Sequence, residues 1–281
     1  NANNPLPLAT TSLIGGDSSR YRIVAGADFA SIRPDALRAG SDADVVLDGH
    51  QRYQESGKKD VLLPTVVRTG TGSIQIAAAR DLHFADADAP ASIYSAGQPA
   101  ADSDADSDIR IVRGDAASRS ADQVVSAQAN AEAAGDLLLQ AGRDILGNRQ
   151  VFDRDGSRTG VVGNYVGQYW WQWLQVGNPI GADGVTPSAG LINYGGFAQG
   201  VLSSGGDVAV QAGRDIRELS VSLPTSYRLT AQGRQTYGGG DLQVQAGRDA
   251  LGGDYFVAHG QGSLNAGGSL GSAVTLSGQG Y

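Results

Sequence analysis

The sequence predicts an all-β chain wound as a parallel β-helix, a solenoid with insertions outside its coil. Three observations carry that expectation: a short phrase recurs, apolar and polar residues alternate inside it, and its copies lie too far apart for hairpins. The phrase reads Gly135-Asp136-Leu137-Leu138-Leu139-Gln140-Ala141-Gly142-Arg143-Asp144-Ile145. It returns as Gly206-Asp207-Val208-Ala209-Val210-Gln211-Ala212-Gly213-Arg214-Asp215-Ile216 and as Gly240-Asp241-Leu242-Gln243-Val244-Gln245-Ala246-Gly247-Arg248-Asp249-Ala250. Weaker copies begin at Tyr21 and Gly72, and a degraded one runs from Leu264 to Leu270.

Within a copy, Leu137, Leu139 and Ala141 fall on one side of an extended chain, and Leu138 and Gln140 on the other. Val208, Val210 and Ala212 repeat the pattern, as do Leu242, Val244 and Ala246. Each copy therefore reads as a strand with one buried face, a turn, and an apolar re-entry at Ile145 or Ile216. The turn glycines Gly142, Gly213 and Gly247 are suited to positive φ, and Asp144, Asp215 and Asp249 to hydrogen bonding the turn backbone. Ala79 stands at the glycine position of the second copy, so positive φ is not required there.

Spacing decides how the strands associate. Gly247 to Gly267 is 20 residues, Gly213 to Gly247 is 34, and Gly142 to Gly213 is 71. Hairpins would return sooner and through two-residue glycine turns. Coils of roughly 20 residues with outward insertions, stacked about 4.8 Å apart, fit these steps. The expected organisation is one β-helical segment over 1–281, interrupted by an acidic, irregular region at 83–120 and an aromatic, glycine-rich one at 146–204. Ser120–Ala134 has two readings. Ser120 with Gln123 could cap a helix that Gly135 stops, whereas alternating Val125, Ala127, Ala129 and Ala131 suit a further rung, the reading preferred here.

The phrase G-D-L-x-L-x-A-G-R-D-I resembles the repeat of filamentous-haemagglutinin-type exoproteins, the large secreted partners of bacterial two-partner secretion. The resemblance covers about half of the chain between Tyr21 and Leu270 and breaks at 83–120 and 146–204. It implies a right-handed shaft, export through an outer-membrane barrel transporter, and a location outside the cell or on its surface. It also implies a role in adhesion, biofilm formation or presentation of a toxin.

Composition narrows the classes. The chain has neither Cys nor Met, so disulfides, zinc ribbons and thiol nucleophiles are out. A net charge of −8, with Lys58 and Lys59 as the only lysines, argues against nucleic-acid partners. No apolar run is long enough to span a membrane. The missing start Met, leader and end caps lead us to expect a piece of a longer protein.

The candidate binding residues are Tyr165, Tyr169, Trp170, Trp171 and Trp173, in a stretch holding all three tryptophans. One reading makes them a local mini-core or lid on the shaft. The other makes them a recognition patch for a host or bacterial surface glycan or receptor, because flat indole and phenol faces suit sugar rings and protein hot spots. Gln168, Gln172 and Asn178 would then supply amides for hydroxyls. The carboxylates Asp86, Asp88 and Asp102 to Asp108 could gather Ca²⁺, but without an EF-hand or β-roll signature the default is a solvated loop, and no metal or other cofactor is expected. Arg113-Gly114-Asp115 spells an integrin-type tripeptide, yet Asp108 to Gly114 aligns with the shaft phrase, which explains it more simply.

No catalytic residue is assigned. Parallel β-helices can host polysaccharide lyases and hydrolases. However, the Arg–Asp pairs at 80–81, 143–144, 214–215 and 248–249 recur as a structural ladder does, whereas an active site occurs once. His50, His83 and His259 share no metal-ligand spacing. The expected function is a structural and adhesive shaft segment. The alternatives are a pure spacer and a β-helical carbohydrate-active enzyme.

Overall fold

The computed structural model describes residues 15–48, 50–51, 61–62, 65–85, 91–100, 110–112, 123–126, 131–148, 200–230, 232–271 and 274–278. Every regular element among them is a strand, and three parallel sheets dominate. The first sheet stacks Tyr21–Ala25, Ile74–Ala78, Leu137–Ala141, Val208–Ala212, Leu242–Ala246 and Gly262–Ala266 in chain order. These are the six copies of the phrase. The second stacks Val45–Leu47, Leu82–Phe84, Ile145–Leu146, Ile216–Arg217 and Ala250–Leu251, and a bridge from Ala250 to Leu270 extends it. The third stacks Thr65–Thr69, Ala91–Ser95, Gly200–Ser203, Ser220–Leu223, Gly253–Val257 and Val274–Gly278. The chain visits the sheets in the same order on each pass, which gives the three-faced, six-rung plan of a parallel β-helix.

The alternation read from sequence sets the inward face. Ile76, Leu139, Val210 and Val244 form one fully buried column, with Ile74, Leu137, Val208 and Leu242 beside it. Leu82, Ile145 and Ile216 continue the core from the second sheet, and Ile93, Val201 and Val221 from the third. In the fifth rung Ala250 stands where the two preceding rungs place Ile, and Tyr255 where they place Val. These opposite changes in size within one rung keep the interior filled. The second to fourth strands of the third sheet are buried on both faces, since Tyr94, Leu202 and Ser222 have no exposed surface although they alternate with Ile93, Val201 and Val221.

Glycine in the turn has a different role from the one expected. Gly142, Gly213 and Gly247 are absent from the left-handed region. A Cβ on Gly142 would lie 2.2 Å from the Ala79 carbonyl oxygen, and one on Gly213 would lie 2.2 Å from that of Gly142. Glycine lets consecutive turns close to hydrogen-bonding distance. Ala79 fits because Gly26 beneath it turns at φ +76° and has no Cβ, which would otherwise stand 2.6 Å from that of Ala79.

Other expectations are corrected by the pairing. Within Ser120–Ala134, Gln123–Ser126 pairs antiparallel with Arg110–Val112 and Ala131–Glu132 with Gln98–Pro99, so these described residues form neither a helix nor a rung. The alignment of Asp108 to Gly114 with the shaft phrase fails for the same reason: Arg110–Val112 joins no parallel sheet. Shaft strands also fall within both regions set apart in the sequence. Leu82–Phe84 and Ala91–Ser95 flank or enter the 83–120 region as shaft strands, and Gly200–Ser203 closes the 146–204 region as another. Outside the shaft, Thr225–Thr230 and Gly233–Gly238 form an antiparallel hairpin after the fourth rung.

Candidate functional site

The best-defined polar constellation lies where the first sheet turns into the second. Each Asp of the Arg–Asp pair faces the next rung. Asp144 accepts Arg214 Nε on Oδ1 at 3.0 Å and Arg214 Nη2 on Oδ2 at 2.6 Å. Its Oδ1 also accepts the backbone N–H of Asp215 at 3.0 Å. Asp81 binds Arg143 and the Asp144 N–H in the same way, and Asp44 binds Arg80 and the Asp81 N–H. Asp215 accepts Arg248 at 2.7 and 2.5 Å and also Arg217 at 2.8 Å. The sequence reading placed these Asp hydrogen bonds within the turn of the same copy. They run instead to the backbone one rung on, because stacking brings that N–H closer.

Burial makes the ladder stringent. The Asp215 side chain has no exposed surface, so its charge needs partners at hand. The Arg248 hydrogen bond, then that of Arg217, holds its carboxyl well below the usual range against the opposing effect of burial. The hydrogen bond from Arg80 lowers that of Asp44 likewise. The arginine side chains that bind these carboxylates stay partly exposed, at 37–49%. The ladder ends at the sixth rung, where Gly268 and Ser269 replace Arg and Asp and the Ser269 N–H binds Asp249 at 2.8 Å.

A second ladder was missed in the sequence. The backbone N–H of Asp207 binds Asp136, that of Asp241 binds Asp207, and that of Gln261 binds Asp241, at 2.8 to 3.0 Å. Its signal was the Gly-Asp that opens all three near-identical copies. Gln140 adds an amide rung by donating to Gln211 at 2.9 Å.

Of the residues singled out in the sequence, Gly142, Asp144, Gly213, Asp215, Gly247 and Asp249 come together on this one corner. Tyr165, Tyr169, Trp170, Trp171 and Trp173 lie outside the described residues, between Asn148 and Gly200 in the chain. Asp86, Asp88, Asp102 to Asp108 and Arg113-Gly114-Asp115 also lie outside them. His83 is half-buried on the outward side of the second sheet, His259 is exposed before the last rung, and His50 begins a short antiparallel strand. The three are not brought together. Among the described residues no three His, Asp or Glu side chains converge as a metal site would require. No helix there is long and apolar enough to cross a membrane.

Chemically, the corner is a row of carboxylates neutralised by guanidinium groups. It is arranged to hold rungs in register, and Asp215, held ionised by two arginines, is poorly placed to carry a proton as a catalytic acid. No protein-family model, curated protein or solved structure matches this chain.

Proposed function

We propose that this chain is a shaft segment of a large secreted bacterial surface exoprotein, acting mechanically and adhesively. The repeats form a stiff support, and the insertions present whatever recognises a partner. The observation that carries this reading is register kept between strands far apart in the chain. Leu139 pairs with Val210 and Ala141 with Ala212, although 71 residues of chain separate the partners. A framework that keeps register across so long a stretch of chain is suited to display.

Resemblance of the repeated phrase to the haemagglutinin-type exoproteins supports export through an outer-membrane barrel and a location outside the cell. Absence of Cys fits passage through an oxidising compartment. Within the display segment, Tyr165, Tyr169, Trp170, Trp171 and Trp173 are the proposed contacts for a surface glycan or receptor. The test is binding of the purified chain to extracellular polysaccharides and to bacterial and eukaryotic cells. It is run beside a variant carrying Trp170→Ala, Trp171→Ala and Trp173→Ala whose circular dichroism matches the parent. Binding lost in the variant is the expected result. No binding by the parent to any of these surfaces would reduce the chain to a spacer.

A further inference from the structure

We infer that the hairpin Thr225–Gly238 is a clasp. It joins the turn into the fifth rung to the turn into the third, past the turn between them, and protects the third rung from opening. In a solenoid each coil touches only its neighbours, so a stack can part at any interface. One contact of this shaft departs from that rule. Gly233–Gly238 follows the fourth rung in the chain, yet it lies beside Ala131–Glu132, which precedes the third.

Three turns from the third sheet into the first are stacked here. The turn into the third rung contains Ala131–Glu132, the turn into the fourth is the short run Ser204 to Asp207, and the turn into the fifth carries the hairpin. The outer two meet around the middle one. A Cβ on Gly205 would stand 3.5 Å from the Gly238 Cα and 3.9 Å from the Ala134 Cβ.

Both halves of the contact are held in place. Ala131–Glu132 pairs antiparallel with Gln98–Pro99, and Ala131 has no exposed surface. A Cβ on Gly97 would lie 2.6 Å from the Glu132 carbonyl oxygen, so this small ribbon is folded tightly onto the turn. Ala133 follows at φ +54°, a conformation that is costly for a residue with a Cβ and persists where its surroundings fix it. The hairpin pairs in continuous register from Thr225 with Gly238 to Thr230 with Gly233. A two-stranded ribbon is marginal in water by itself, so it needs support from what it lies against. Thr225 and Tyr237 are buried at its base, whereas Gln232, Gln235 and Thr236 nearer the tip are exposed. Burial therefore falls where the hairpin meets the neighbouring turns.

The clasp sits where the shaft gains most from it. The third rung has the widest chain separation between its own strands, from Leu146 to Gly200. Closing a longer stretch costs more conformational entropy, so this rung benefits most from a second attachment.

Hydrogen exchange of the whole chain, read by mass spectrometry, tests this against a variant in which two glycines replace Ser226–Tyr237. Peptides covering Leu137–Leu146 and Gly200–Ser203 should exchange at least roughly tenfold faster than in the parent, although they lie outside the hairpin. Peptides covering Ile74–Phe84 of the second rung should keep parental rates. Should the shortened chain fold poorly, Tyr237→Ala keeps the hairpin's length and should give the same pattern more weakly. Faster exchange confined to Pro224–Gly240, with the third rung unchanged, overturns the inference. So does equal acceleration of the second and third rungs, which would report general loss of stability rather than a clasp.

Discussion

Replacing Gly213 by Ala places one methyl group where the turn of the third rung already stands. Its Cβ would lie 2.2 Å from the Gly142 carbonyl oxygen, about 0.8 Å inside the closest approach that real Cβ atoms show. That oxygen cannot retreat freely. The Gly142 N–H is bound to Ala78 and the Gly213 N–H to Ala141, both at 2.9 Å, so opening the gap strains both contacts. Overpacking costs about 1–3 kcal/mol, and weakening two ladder bonds adds roughly 1 kcal/mol each. A loss of about 3–5 kcal/mol follows, or roughly 6–20 °C in melting temperature. Circular dichroism melts of the parent and Gly213→Ala read it directly, with Gly15→Ala as the control, since a Cβ at Gly15 meets nothing within 4 Å. The control should change by less than about 0.5 kcal/mol, or gain slightly from the stiffer unfolded chain. If Gly213→Ala melted with the control, close approach would not be why glycine occupies this corner.

Arg214→Ala removes both hydrogen bonds to the buried Asp144 carboxylate and should cost about 2 kcal/mol by urea unfolding, whereas Arg22→Ala, which loses an exposed contact with Gln75, should stay within about 0.5 kcal/mol. Acid should weaken the shaft. Asp44 and Asp215 have carboxyls lowered in the folded state, so their contribution is complete above the unfolded value of about 4 and is lost as pH falls through the lowered folded values. The melting-temperature gap between the parent and Asp215→Asn should therefore narrow from neutral pH toward pH 3, and a constant gap would contradict this.

The first sheet was legible because its strands have five residues, one wet face and a repeated glycine. All six copies of the phrase proved to be its six strands. The second sheet was not, since pairs such as Ile145–Leu146 are too short to show a period. The third was hidden for the opposite reason: Ala91–Ser95 and Ser220–Leu223 are buried on both faces, which erases the alternation that betrays a strand. The role of Gly213 depends on Gly142, 71 residues away, and nothing local reports that approach. The Arg–Asp pairs were recognisable as a ladder from their recurrence, but the one-rung offset between partners was not.

That offset gives the shaft a direction in time as well as in space. A newly wound rung carries its own Asp without the partner it will finally have, and the arginine that satisfies it arrives with the following coil, as Arg214 does for Asp144 and Arg248 for Asp215. Each coil thus completes its predecessor and awaits its successor. For a chain that emerges N-terminus first, winding then proceeds like a ratchet, since unwinding an inner rung would strip the counter-ion from a carboxylate already sealed from water.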